Sequence, residues 1–119
     1  VLWGLIQRLR VSKAEARIVA NSKLLHHVLP DLVPPMDRQY TYRFFYGRTG
    51  LSIDEEVAFR EMFGRLLEIA GQNRTSIQAT TGTDWNTCPS KVVDNAIVGF
   101  MLSHKAQSAR PRRQPEPAG

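Results

Sequence analysis

An aspartate and two histidines carry the sharpest chemical hint in this chain. They fall in the run Ser22 to Thr41, SKLLHHVLPDLVPPMDRQYT, where a helix stops at Pro30 and Asp37 follows a double proline. A carboxylate in that place can cap a new helix by accepting its free amides. Held in an open cleft, it can instead stabilise positive charge on a sugar ring or activate a water. His26 and His27, with Cys88 and His104, supply metal-ligand types, but adjacent helical residues point about 100° apart and one cysteine makes no zinc pair. The sequence therefore implies neither a metal nor a cofactor, and it favours packing or capping for the histidines. Cys88 stands before Pro89 at a helix start, where a thiolate is favoured, although a buried, inert thiol is the simpler reading. Trp85 is read as a loop residue that stacks on a ligand or covers the core.

Charge supplies the second group of candidates. Residues 1–50 hold eight Lys/Arg against Glu15, Asp31 and Asp37, whereas residues 51–103 hold four against seven acids. Arg10, Lys13, Arg17, Lys23, Arg38 and Arg43 are the expected phosphate contacts, with Arg8 and Arg48 beside them, and binding through them would weaken with salt. The opposing reading is a solvated face, since exposed basic residues are common.

These residues need elements to hold them. Leu2, Leu5, Ile6 and Leu9 predict a short helix ending near Arg10. Ser12 and Glu15 form a capping box for a second helix, about 13–29, with Ala14, Ile18, Asn21, Leu25, Val28 and Leu29 on its buried stripe. Pro34 and Pro35 hold Asp31 to Met36 extended, with Leu32, Val33 and Met36 pinned to the core. Asp37 then opens a third helix that carries Tyr40, Phe44 and Phe45 inward and ends near Gly47. Ser52 and Glu55 make a second capping box for a helix at about 53–70 with a broad face of Val57, Phe59, Met62, Phe63, Leu66, Leu67 and Ile69, closed by Gly71. Residues 72–88 read as a long polar loop. Pro89 begins a last helix, about 89–103, with Val93, Ala96, Ile97, Phe100 and Met101 inward.

The expectation is an all-α, single bundle of about five helices. With 119 residues, 42% hydrophobic and 23% charged, the chain has the size and composition of one globular domain. Residues 1–103 are read as that domain, and its start at Val1 as the start of a fragment. From His104 onward, with three prolines and four Lys/Arg, the chain reads as a flexible basic tail. No apolar run suits a membrane span, and the single cysteine suits a reducing cytoplasm.

The run Ser22 to His27, then Pro30 to Pro35 and Asp37-Arg38, together with Asn86 to Ala96, resembles small uncharacterised bacterial proteins. The stretch from Ser22 to Arg38 is also distantly similar to the second half of helix-hairpin-helix DNA glycosylases. That resemblance implies a catalytic role for Asp37 and a nucleic-acid partner. The chain departs from the glycosylase pattern: it has no glycine between Gly4 and Gly47, so Val11-Ser12-Lys13 stands where a phosphate-cradling turn would be. Three functions are thus expected in order: a non-enzymatic domain with weak nucleic-acid affinity, a protein-interaction or regulatory module, and a glycosylase-like enzyme using Asp37.

Overall fold

A computed structural model describes residues 1–9 and 17–108. The elements are α1 (Leu2–Arg8), α2 (Ile18–Val28), a π-helical turn (Arg38–Tyr42) running into α3 (Arg43–Tyr46), α4 (Glu55–Gln72), α5 (Arg74–Thr80) and α6 (Pro89–Ser108). The described residues contain no strand, and the all-α expectation holds. Arg10, Lys13, the Ser12–Glu15 box and the tail beyond Ser108 lie outside the described residues.

The core joins Ile6 of α1, Ile18 and Leu25 of α2, Val33 and Met36 of the proline strap, Phe59, Met62 and Leu66 of α4, Ile77 of α5 and Val93 and Ile97 of α6. The aromatic rings of Trp3, Phe59 and Phe63 extend it in series, with centroids 5.7 Å apart at each step. No described helix is long and apolar enough to cross a membrane.

Three polar side chains stitch the first helices together, two of them meeting backbone groups that a helix end leaves free. Asn21, almost fully buried in α2, donates from Nδ2 to the carbonyls of Ile6 (2.6 Å) and Leu9 (3.0 Å) at the end of α1. Ser22 Oγ, fully buried, accepts from Met36 N at 3.0 Å and so fixes the strap to α2. Glu55 Oε1 accepts from Arg17 N (2.6 Å) and Ile18 N (3.1 Å), capping α2 from the head of α4.

That last contact revises the expected capping box. Glu55 serves a different helix, and Asp54 rather than Ser52 caps α4 by accepting from Glu56 N and Val57 N. The apolar faces are also narrower than their patterns imply. Val28, Leu32, Val57, Leu67 and Phe100, all expected inward, are 47% or more exposed, with values of 67, 47, 47, 53 and 56%. At its far end α4 runs through Gly71 to Gln72, with Asn73 as its C-cap donating from both its backbone N and its Nδ2 to Ile69 O. The segment read as a polar loop contains α5, which begins from the same asparagine: Ile77 N donates to Asn73 O at 2.9 Å. α6 runs to Ser108, five residues past its expected end at 103.

Candidate functional site

Asp37 sits where the sequence places it, at the head of a helical segment. Its Oδ1 accepts from Tyr40 N (2.7 Å) and Thr41 N (3.3 Å), while Thr41 Oγ1 accepts from Asp37 N at 3.0 Å. This reciprocal pair is a capping box spread over one extra residue. Because the carboxylate takes the amides that would otherwise reach Asp37 O, the first backbone bond to that carbonyl comes from Tyr42, at 3.0 Å, and the turn is π rather than α.

Asp37 also lines an open groove of about 700 Å³ with Lys23, His26, His27, Cys88, Lys91 and Asp94. Most of these side chains are already engaged. His26 Nδ1 lies 2.8 Å from Val33 O, and since a carbonyl only accepts, Nδ1 carries the ring proton. Ser90 Oγ lies 3.2 Å from the same nitrogen and donates to Pro30 O, which Cys88 Sγ also approaches at 3.5 Å. Lys91 pairs with Asp94 at 2.6 Å. The groove is thus a seam where the end of α2, the proline strap and the head of α6 are joined. Among the described residues no three His, Cys, Asp or Glu side chains are arranged to hold a metal ion.

The basic candidates do not share one surface. Lys23 is in the Asp37 groove, and Arg17 stands half-buried at the Glu55 cap. Arg38 lines a second depression with Tyr42, Thr49 and Glu55. There burial, followed by the Glu55 charge, pushes the Tyr42 hydroxyl up to about 12. Arg43 lines a third depression, of about 680 Å³, with Arg48, Phe44, Phe100, Met101 and His104.

This third depression sets two exposed arginines beside side chains that pack against the core, Phe44 and Met101. α3 ends at Gly47 in the left-handed conformation (φ 72°), a turn suited to glycine, and Arg48 follows it back to the depression that Arg43 lines. Both arginines are exposed, and the ion pairs among the described residues, Arg60–Glu56 and Lys91–Asp94, include neither. Phe100 is 56% exposed. Phe44 holds it edge-on (5.6 Å, 88°), and His104, one turn further along α6, lies nearly parallel to it (6.0 Å, 8°). Phe100 and His104 were missed as site residues because the sequence points the first inward and places the second beyond the helix. Their spacing of four, the helical neighbour distance, was the available signal.

Phe44 also borders a depression of opposite charge, lined by Phe45, Tyr46, Glu61, Arg65 and Glu68. Tyr46 donates to Glu61 Oε2 at 2.7 Å, and partial burial followed by that bond pushes its hydroxyl up to about 12. Basic and acidic surfaces thus meet at one phenylalanine.

No family model, curated protein or solved structure matches the chain. Fold and site together define an all-α domain with a basic, aromatic depression between α3 and α6.

Proposed function

We propose that this domain binds nucleic acid weakly and in a salt-dependent way, in a bacterial cytoplasm, with Arg43 and Arg48 as its principal phosphate contacts. The observation that carries this reading is that two exposed arginines, neither in an ion pair among the described residues, border one depression beside an exposed aromatic ring. An arginine already held by a carboxylate would have to give up that pair to meet a phosphate; these two have none among the described residues. Asp37 following its proline-rich strap supports a helix-hairpin-helix-like origin, while its capping role accounts for the residue without catalysis.

Fluorescence anisotropy of a labelled oligonucleotide at low and high salt tests the proposal. Binding of the non-specific class, with Kd of roughly 10⁻⁴ to 10⁻⁶ M at physiological salt and tighter below it, is expected. No binding to duplex or single strand at low salt would end it.

A second reading, a protein-interaction module, is supported by a small apolar cleft. Exposed Leu32 of the strap and Leu67 of α4 border it, with Phe63 and Val93 beside them. A partner would cover such side chains. Sedimentation of a Leu32→Asp/Leu67→Asp variant tests it: any self-association of the wild type should be lost, and a wild type monomeric at all concentrations would remove self-association from this reading.

A further inference from the structure

We infer that the depression between α3 and α6 takes an unpaired strand, with a base stacked on Phe100. This inference deepens the proposed function and rests on it.

A phenylalanine of a helix packed on a core is normally covered, yet Phe100 is more than half exposed. It is not loosely placed. Phe44 meets it edge-on and His104 lies parallel to it, so two neighbouring rings set its plane. A flat, held aromatic face beside two cations is the arrangement that binds single strands: every base has a π-face to stack on, and the arginines meet the phosphates on either side. A duplex cannot use it, because its bases are stacked on one another and offer only edges in the grooves.

Size and charge agree. At about 680 Å³ the depression falls within the roughly 300–1,000 Å³ that accommodates a drug-sized ligand, a nucleotide rather than a helix turn of duplex. The neighbouring depression that shares Phe44 sets Glu61 and Glu68 against Arg65, a lining less favourable to a phosphate chain than the one that Arg43 and Arg48 border. His104 adds a second flat ring one turn along, so a neighbouring base has a surface as well.

The test compares three labelled ligands at low salt: a single-stranded 12-mer, a hairpin duplex of the same base composition, and a 12-mer of abasic sites with the same phosphates. The wild type is expected to bind the base-bearing strand about five- to a hundred-fold more tightly than the abasic one, the range set by stacking one base. The duplex should bind no better than the abasic strand. Phe100→Leu should lower affinity for the base-bearing strand to the abasic level while leaving the salt dependence unchanged, and Phe100→Tyr should restore it. Equal binding of base-bearing and abasic strands by the wild type overturns the inference but leaves the phosphate-binding function intact. Tighter binding of the duplex does the same. No binding of any ligand overturns both. The ligand comparison uses the wild type alone, so the inference is decided even if Phe100→Leu does not fold.

Discussion

The junction of α1, α2 and α4 and the face between α3 and α6 handle polar and aromatic groups in opposite ways. At the junction, Asn21, Ser22 and Glu55 are turned inward, and among the described residues their side-chain hydrogen bonds go to backbone groups at the end of α1, at the start of α2, within α2 and in the strap. At the face, Arg43 and Arg48 are exposed and outside the ion pairs among the described residues, and Phe100 is more than half exposed to water. A side chain consumed by the architecture has little left for a ligand, while one that the architecture ignores costs nothing to use. The same contrast separates Asp37 from Arg43, although only five residues lie between them. The aspartate carried the stronger chemical hint in the sequence, and it is the one that holds up its own helix.

Breaking the junction should damage stability and spare binding. Asn21→Ala leaves the carbonyls of Ile6 and Leu9 without their donor in a buried place, and should destabilise the domain by about 1–3 kcal/mol in urea unfolding. Glu55→Ala removes the cap of α2 and should cost about 1–2 kcal/mol, although Asp54 and Glu56 keep the head of α4 intact. A loss of oligonucleotide affinity in either variant, measured where it is folded, would join the two regions that this account separates.

A pH titration sharpens the comparison. Tyr42 and Tyr46 have hydroxyls raised to about 12 in the folded chain, against an ordinary value of about 10. The folded state therefore keeps protons that the unfolded chain gives up. The resulting stabilisation is complete below pH 10 and disappears as pH rises from about 10 through 12. Stability measured in urea should fall across that window, and Tyr46→Phe should make the fall shallower. A flat profile would show that neither hydroxyl is perturbed.

The smallest stability effect belongs to the face. Arg43→Ala and Arg48→Ala should each change unfolding free energy by no more than about 0.5 kcal/mol, since surface groups outside hydrogen-bonded networks contribute little. Arg60→Ala serves as the control for charge alone, because that guanidinium is paired with Glu56 at 2.9 Å.

What could be read from the sequence was local. The Asp37 cap, the stop at Gly47, the strap held by Val33 and Met36, and the start of α6 at Pro89 all depend on neighbours within a few positions. The Glu55 contact could not be read, because its partners lie 37 and 38 residues away and the nearby Ser52 offers a local alternative. α5 escaped because RTSIQAT buries only Ile77 and so has no apolar period to detect. The site was half legible. Arg43 followed from charge, but Phe100 follows from which stripe of α6 the other helices leave uncovered, and the apolar pattern of α6 is broad enough to turn either way. Lys23, Arg38 and Arg43, all expected phosphate contacts, each line a different depression, because charge along the chain does not say which face a helix turns outward.

The most direct measurement is the salt dependence of single-strand affinity for the wild type and for Arg43→Ala/Arg48→Ala. If both arginines meet phosphates, the slope of log K against log salt becomes shallower by roughly 1.4 in the double variant, about 0.7 for each lost contact on a single strand, with the fold unchanged. An identical slope and affinity in the two proteins would contradict the claim that the unused cations between α3 and α6 are the binding surface.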